Sequence, residues 1–297
     1  MEILEQLQQA VKRGAEEVGP SVVGVGGGWG LGSGVVIAPG AVLTNAHNLR
    51  GNQQITVVTA PGRTTAGRVL GVDAEGDIAV LGIEEASPPI AWGTEELRVG
   101  IGTPVLALAN PGGRGLRVTF GLVSALDLTF RGPRGRRITG SIEHTAHLPP
   151  GSSGGPIVDL GGNLLGLNTH RLGEGFYLAI PADPALRERV DALVEGKSPF
   201  RARLGIGIVP SRTAQELRRA VGLPECEGVL VRVVEEGGPG AGAGLAQGDL
   251  IFEAGGRPVT EIDHLHQALE GVQPGGSLEL RVLRGTEERT VTITLGS

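Results

Sequence analysis

The six residues Gly151–Pro156 include the residue types that a nucleophilic site needs. The segment reads Gly-Ser-Ser-Gly-Gly-Pro. Gly154 and Gly155 permit backbone angles and close approaches that a Cβ would block, so such a turn can expose a serine hydroxyl. The N–H groups of Gly151 and Ser153 can converge where a carbonyl oxygen becomes negative during acyl transfer. Clusters of Ser, Gly and Pro also mark ordinary turns, so the segment alone leaves both interpretations open.

A histidine and an aspartate elsewhere in the chain provide the base and the acid that a serine nucleophile requires. His47 ends the segment AVLTNAH, which reads as an apolar strand with a polar end, and its imidazole titrates near neutral pH. Asp77 lies 30 positions later, directly before the buried-strand pattern Ile78–Ile83. A carboxylate there can orient the imidazole. Asp73 is the competing acid, but it lies in a turn-like stretch, so we prefer Asp77.

The predicted nucleophile is Ser153, which follows Asp77 by 76 positions. Ser152 is the competitor, but its place between the two oxyanion donors makes it a backbone spacer. The order of histidine, aspartate and serine along the chain is that of the chymotrypsin-like proteases. It differs from the orders found in subtilisins and α/β-hydrolases.

From about Pro20 onward the chain resembles the HtrA (Deg) type of serine protease, in which a trypsin-like domain precedes a PDZ domain. Each matching motif is weak singly, but their joint order is specific; they lie at 32–37, 43–47, 76–81, 109–111, 121–126, 151–156, 166–169 and 176–181. The resemblance implies a mainly β fold, with a chymotrypsin-like double β-barrel followed by a PDZ domain. It also implies a serine endopeptidase that cleaves unfolded or misfolded proteins without a metal or organic cofactor.

The chain departs from the family pattern on both sides of its predicted site. Relatives commonly read TDAAINPGN before the serine, whereas residues 144–152 here read HTAHLPPGS. In the family this loop shapes the primary specificity pocket and switches between active and inactive forms, so the resemblance does not assign the small-aliphatic preference of relatives to this chain. His144 and His147 are either additional proton-active groups or ordinary solvated or hydrogen-bonded loop histidines. Asn48 stands where relatives usually have a hydrophobic residue.

The altered loop leaves a second function open. In this alternative the protein is a chaperone-like or peptide-binding module whose protease domain is latent. The intact set of His47, Asp77 and Ser153 favours the endopeptidase.

We expect three segments: an amphipathic helix at 1–19, a protease domain of two barrels at 20–196 and a PDZ domain at 197–297. The apolar residues of the first segment recur at helical spacing, and we expect them to pack against the first barrel rather than form a trimer or membrane contact. Near the end of the protease domain, Asp183 is the predicted N-cap of a helix that begins at Pro184. Gly196 and the residues that follow it break this helix.

The second domain has its own predicted site. The PDZ resemblance begins at Arg203, Leu204, Gly205 and Ile206. It implies that backbone N–H groups of this loop bind the carboxylate of a peptide C-terminus, with the peptide added as a strand. Arg203 is either a source of further positive charge or an ordinary exposed arginine.

Composition narrows the classes of partner. The net charge of −6 argues against a nucleic-acid partner, and the single cysteine, Cys226, excludes an intramolecular disulfide. The chain as given has no secretory signal and no apolar stretch of about 20 residues that would cross a membrane. We therefore expect a cytoplasmic protein, or one of the cell envelope if a leader has been removed. The envelope location and a possible homotrimer are implied only by the resemblance.

Overall fold

The computed structural model describes residues 2–26, 32–60, 62–84, 87–93, 99–131, 137–172, 175–197, 203–270, 272–273 and 275–295. The chain forms two compact units, Met1–Pro199 and Phe200–Ser297.

Two closed barrels of six antiparallel strands make up most of the described part of the first unit. The first barrel contains β1 (Val22–Val25), β2 (Gly32–Ala38), β3 (Ala41–Thr44), β4 (Gln54–Thr59), β5 (Arg63–Asp73) and β6 (Ile78–Gly82), hydrogen-bonded in the order β1-β2-β3-β6-β5-β4. The second contains β7 (Pro104–Ala109), β8 (Arg117–Arg131), β9 (Arg137–His144), β10 (Pro156–Val158), β11 (Leu164–Leu172) and β12 (Phe176–Pro181), in the order β10-β11-β12-β9-β8-β7. The mainly β, double-barrel prediction is confirmed.

A shared hydrophobic core joins the two barrels. Its buried side chains include Val35, Leu43, Ile78 and Val80 from the first barrel and Leu106, Leu108, Leu167 and Ile180 from the second. Strand β3 is buried at every residue, so its sequence is mostly apolar rather than alternating. Because this core holds the barrels against each other, residues at their facing ends have defined relative positions.

The helix that follows the last barrel strand packs against this core. Helix α2 spans Pro184–Val194, and the Asp183 carboxylate accepts a hydrogen bond of 2.7 Å from the N–H of Leu186. Leu186, Val190 and Leu193 are buried in the shared core. The predicted N-cap and helix start are therefore confirmed.

The N-terminal helix contacts the second barrel and the shared core. Helix α1 spans Glu2–Arg13 and continues into a π-helical turn at Gly14–Val18. The helix contacts β8, and Gly14 lies so close to Leu106 that a Cβ there would be 2.4 Å from its Cδ1. Both contacts belong to the second barrel, and Val11 and Val18 also pack on the core that the two barrels share. The absence of a side chain at position 14 is what admits Leu106.

The described part of the second unit is an antiparallel sheet with three helices. Its strands are β13 (Ile206–Val209), β14 (Val229–Val234), β15 (Asp249–Ala254), β16 (Arg257–Pro258), β17 (Ser277–Arg284) and β18 (Glu287–Thr294). The order is β13-β14-β15-β17-β18, with β16 paired to β15. The helices are α3 (Ser211–Ala220), α4 (Pro239–Gly242) and α5 (Ile262–Glu270). Strand β13 is therefore at the edge of the sheet. In the described part of the chain, no helix is long and apolar enough to span a membrane.

Replacing Asp183 by Ala should destabilise the first unit. The substitution removes the acceptor for the Leu186 N–H and should lower the free energy of unfolding by about 1 kcal/mol in urea titrations. Asp183→Asn is the matched control, since an amide oxygen can still accept this bond, and it should stay within a few tenths of a kcal/mol of the parent. Equal losses in both variants would show that the cap does not stabilise α2.

Candidate active site

The predicted base and acid meet at the end of the first barrel. His47 lies in a 3₁₀ turn, Ala46–Leu49, directly after β3, and Asp77 immediately precedes β6. The ring nitrogen Nδ1 of His47 is 2.9 Å from both carboxylate oxygens of Asp77. The backbone N–H of His47 also donates to Asp77 Oδ1 at 3.1 Å. These contacts orient the ring, so that Nδ1 faces the carboxylate and Nε2 is left for a reaction partner.

Asp77 is held by both barrels. Its side chain is 1% exposed, and Thr169 of β11 donates its hydroxyl to Oδ2 at 2.7 Å. Its backbone has a positive φ of 53°, which is uncommon for a residue with a Cβ. Asn45 Nδ2 and the N–H of Ala46 both donate to the Asp77 carbonyl and stabilise this conformation.

The competing acid lies elsewhere. Asp73 is buried, accepts a hydrogen bond from the N–H of Gly76 and forms an ion pair with Arg189 of α2 at 3.6 Å. Of the two aspartates considered from the sequence, the structure brings Asp77 to His47.

Ser153 projects from the loop between β9 and β10 and is half-buried. Its hydroxyl donates to the carbonyl of Thr169 at 3.0 Å, and among the described residues it makes no hydrogen bond to His47. The hydroxyl of Ser152 points inward and donates to the carbonyl of Pro149 at 2.7 Å. Ser152 is only 4% exposed, which fits a backbone spacer better than a nucleophile.

The predicted oxyanion donors have no acceptor of their own. Within the described residues, neither the N–H of Gly151 nor that of Ser153 forms a hydrogen bond. Gly151 has a φ of 89°, a conformation that glycine adopts without strain. Unpaired backbone donors next to a serine hydroxyl are what the stabilisation of a carbonyl oxyanion requires.

A pocket of about 220 Å³ opens beside Ser153. Its walls are Leu148, Pro149, Pro150, Gly151, Ser152, Ser153, Asn168, Thr169, His170 and Tyr177. None of these described residues carries a carboxylate, an ammonium or a guanidinium group. The pocket is therefore suited to an uncharged side chain.

The two histidines of the 144–152 segment, His144 and His147, differ in their environments. His144 is fully buried at the end of β9, stacks on Tyr177 and places Nε2 2.8 Å from Asn168 Oδ1. His147 is exposed, and its Nδ1 lies 3.0 Å from the Tyr177 hydroxyl. The interpretation as hydrogen-bonded residues holds for both, but a solvated loop position is wrong for His144, because β9 carries it into the barrel interior.

Burial changes the chemistry of His144. It lowers the pKa of the imidazole from 6.5 to about 4, and the hydrogen bond to Asn168 offsets this effect only in part. Asn168 Nδ2 donates to the carbonyls of Gly155 and Pro156, so its oxygen faces His144 and the imidazole Nε2 carries the hydrogen. His144 is therefore neutral at pH 7 and supports the serine loop through Asn168.

The residues predicted for the PDZ site occupy four different environments. Arg203 is exposed and lies 3.4 Å from Glu235, while the Leu204 side chain is buried in the core of the second unit. Gly205 has a φ of 66°, and Ile206 is half-buried at the start of the edge strand β13. The N–H groups of Leu204 and Gly205 have no acceptor among the described residues. These backbone groups, rather than the Leu204 side chain, are therefore the unpaired donors of this segment.

Sequence reasoning missed several residues that complete the first site. Thr169 lies in a motif that was recognised, but its contact with Asp77 depends on how the two barrels meet. Ser33, Asn48 and Asn168 likewise contact the serine loop from distant positions. Within the described residues, no three His, Cys, Asp or Glu side chains lie close enough to hold a metal ion.

The stability of the first unit should fall as the pH is lowered from 6.5 to 4. In this range the His144 imidazole binds a proton in the unfolded chain but not in the folded one, whereas above pH 6.5 neither state is protonated. The loss of unfolding free energy caused by this residue should reach about 3 kcal/mol near pH 4 and should not increase further below that pH.

The contribution of His144 can be isolated by comparison with His144→Gln, which keeps a side-chain amide facing Asn168. The difference in unfolding free energy between parent and variant should shrink from pH 7 to pH 4 in urea titrations. A difference that does not change with pH would contradict the burial of a neutral imidazole.

Comparison with known proteins gives matches in both units. The family model for a trypsin-like peptidase domain matches residues 32–167, and that for a PDZ domain matches residues 202–295. A DegP-like periplasmic serine endoprotease of Halomonas elongata is 35% identical over 274 residues, covering 90% of this chain and 56% of that protein. A protein named serine protease HhoB, from Synechocystis, is 32% identical over 278 residues, covering 90% of this chain and 66% of that protein. The chain thus spans only part of the length of these curated relatives.

Solved structures give the same assignment over nearly the whole chain. The HtrA-type protease AlgW with a decapeptide matches with a TM-score of 0.63 and 28% identity, covering 96% of this chain and 98% of that one. A serine endoprotease from Yersinia pestis matches with a TM-score of 0.62 and 29% identity, covering 96% and 97%. The chain therefore belongs to the HtrA (Deg) type of trypsin-like serine proteases that carry a PDZ domain.

Proposed function

We propose that this chain is a serine endopeptidase that cleaves unfolded or misfolded polypeptides. The observation that carries the proposal is the contact of His47 with the buried carboxylate of Asp77, which Thr169 also holds, together with half-buried Ser153 and the unpaired N–H groups of Gly151 and Ser153. The names of the relatives, which are serine endoproteases, support the same activity.

The reaction follows from the roles of these groups. Ser153 Oγ attacks the substrate carbonyl carbon, and Nε2 of His47 takes the hydroxyl proton as the new C–O bond forms. The N–H groups of Gly151 and Ser153 bind the oxyanion. His47 then returns the proton to the leaving amine as the C–N bond breaks, and a water molecule hydrolyses the acyl-enzyme by the same steps. Asp77 stabilises the protonated imidazole throughout.

Substrate binding would release the Ser153 hydroxyl from its resting hydrogen bond to the Thr169 carbonyl. Strand β10 pairs with β11 only as far as Leu167, whereas β12 pairs with β11 as far as Leu172. The other edge of β11 from Thr169 onward is therefore available to an extended peptide. An N–H of this peptide would take the Thr169 carbonyl as its acceptor, and the hydroxyl would turn to His47.

This binding mode selects the class of substrate. A chain can add as a strand only where it is extended and its backbone is unpaired, as in an unfolded protein. The walls of the pocket beside Ser153 have no carboxylate, ammonium or guanidinium group and include Leu148 and Tyr177, so we infer a preference for an apolar side chain before the scissile bond.

We also propose that the second unit binds peptide C-termini. The free N–H groups of Leu204 and Gly205 would bind the carboxylate, and the peptide would extend β13, which has β14 on one side only. The structure of AlgW with a bound decapeptide supports peptide binding in this class of protein.

The latent, chaperone-like alternative is not favoured. It would be supported by a base and an acid that are apart, but His47 and Asp77 are in contact. The bond between Ser153 and Thr169 can be released by rotation of one side chain. The homotrimer implied by the resemblance stays a prediction, which light scattering of the purified chain can test.

Replacing Ser153 by Ala should abolish proteolysis. Because the triad acts as a unit, turnover of an unfolded protein substrate should fall by about 10⁴-fold or more, and labelling by a fluorophosphonate should disappear. Ser152→Ala is the matched control and should retain at least about a tenth of the activity, because that hydroxyl only donates a hydrogen bond to the carbonyl of Pro149. If Ser153→Ala keeps the activity and Ser152→Ala loses it, the nucleophile has been assigned wrongly.

Binding at the PDZ site should require a free peptide carboxylate. A fluorescent peptide with an apolar free C-terminus should bind the full chain about tenfold or more tightly than the same peptide with a C-terminal amide, because hydrogen bonds to a charged group are the stronger ones. Fluorescence anisotropy with Ser153→Ala protein measures both affinities without cleavage. Equal affinities would contradict carboxylate recognition.

A further inference from the structure

Asn48 connects the 3₁₀ turn that carries His47, in the first barrel, to the loop that carries Ser153, in the second. It follows His47 in the same 3₁₀ turn. Its side-chain amide donates to the carbonyl of Ser153 at 2.9 Å and to the hydroxyl of Thr44 at 3.0 Å. A single side chain next to the proposed base therefore contacts the backbone of the proposed nucleophile.

Ser33 completes this connection from the neighbouring strand β2. Its N–H donates to the carbonyl of Ser153 at 2.9 Å, and its hydroxyl donates to the carbonyl of Gly151 at 2.9 Å. Thr44 in turn donates its hydroxyl to the carbonyl of Ser33 at 2.7 Å. Ser33 and Thr44 are fully buried, so these bonds are shielded from water.

Two glycines make room for the network. A Cβ at Gly32 would be 2.5 Å from Cγ of Asn48. A Cβ at Gly154, whose φ is 89°, would be 2.1 Å from the carbonyl oxygen of Ser33. The two barrels therefore approach so closely here that side-chain and backbone donors of one reach the carbonyls of the other.

The network holds three consecutive peptide planes of the loop. The carbonyl of Gly151 accepts from Ser33, that of Ser152 accepts from the N–H of Gly155, and that of Ser153 accepts from both Ser33 and Asn48. A carbonyl shares its peptide plane with the N–H of the next residue, so the bond from Gly155 orients the N–H of Ser153, and the bonds from Ser33 and Asn48 orient the Ser153–Gly154 plane. These two planes meet at the Cα of Ser153, so holding both sets the directions in which its N–H and its hydroxyl project.

We propose that Asn48 is a positioning residue for catalysis, which holds the Ser153–Gly154 peptide plane and thereby fixes the backbone from which the Ser153 hydroxyl projects, while His47 lies beside it. This inference rests on the proposed endopeptidase function. A hydrophobic side chain at this position could not donate a hydrogen bond to the Ser153 carbonyl.

The test replaces Asn48 by Asp, which has the same shape. An ionised carboxylate would face the Ser153 carbonyl with an acceptor, whereas a protonated carboxyl group can donate to it again. At pH 8 the rate of fluorophosphonate labelling should fall by about 10- to 100-fold. As the pH is lowered from 8 to 5, the ratio of the variant rate to the parent rate should rise.

The direction of this pH dependence separates positioning from a simple charge effect. A negative charge near His47 favours the protonated imidazole and would make the ratio fall toward low pH. Asn52→Asp is the matched control: Asn52 is exposed in the loop that follows, so it introduces the same charge without touching Ser153. Its ratio should stay near one or fall slightly with decreasing pH. A falling ratio for Asn48→Asp would overturn the proposal.

Asn48→Leu gives a second, uncharged test. It should lower kcat for a peptide substrate by about tenfold with KM changed less than about twofold, and its ratio to the parent should not vary with pH. The fraction of active sites, counted by burst titration, should remain that of the parent. Unchanged kcat in this variant, or a loss explained entirely by fewer active sites, would also overturn the proposal.

Failure of this inference differs visibly from failure of the proposed function. If parent protein labels at Ser153 and both Asn48 variants label equally fast, the triad stands and the positioning role is rejected. If parent protein does not label at Ser153 even with an unfolded substrate present, the endopeptidase assignment itself is rejected.

Discussion

The buried carboxylate of Asp77 constrains the arrangement of the whole first unit. A charge removed from water is tolerated only when hydrogen-bond donors surround it. Here the donors are the backbone and ring of His47, from the first barrel, and the hydroxyl of Thr169, from the second. The barrels must therefore meet with β11 opposite the histidine turn. The shared apolar core between them provides the packing that maintains this arrangement.

The loop that carries Ser153 combines two structural requirements that oppose each other. One side must leave donors unpaired for a substrate, and the other must be held rigidly enough to direct them. The held side is bound from the first barrel by Ser33 and Asn48 and from the second by Asn168. Glycine at 154 is required because the carbonyl of Ser33 occupies the space of a Cβ. The loop is thus the place where the two barrels act as one structure.

Two histidines before Ser153 are connected through one tyrosine. His144 stacks on Tyr177, and the Tyr177 hydroxyl lies within hydrogen-bond distance of His147. Tyr177 also lines the pocket beside Ser153, so the 144–152 segment and β12 contribute to the same wall. The neutral state of His144 follows from burial within the barrel, which could not be read from a segment that looks like a polar loop.

Local patterns in the sequence predicted the buried strands beside His47 and Asp77 and the capped helix at Asp183, because each depends on neighbouring residues. The double barrel and the set of His47, Asp77 and Ser153 were predicted from motifs and their order along the chain. The preference for Asp77 over Asp73 also came from local context, its place at the start of a buried strand. Tertiary structure alone decided which strands the N-terminal helix contacts, that Thr169 donates a hydrogen bond to the Asp77 carboxylate, and that Asn48 and Ser33 reach the loop that carries Ser153. These are contacts between residues up to 118 positions apart, and hydrogen-bond partners at such separations are set by how the barrels pack rather than by local sequence.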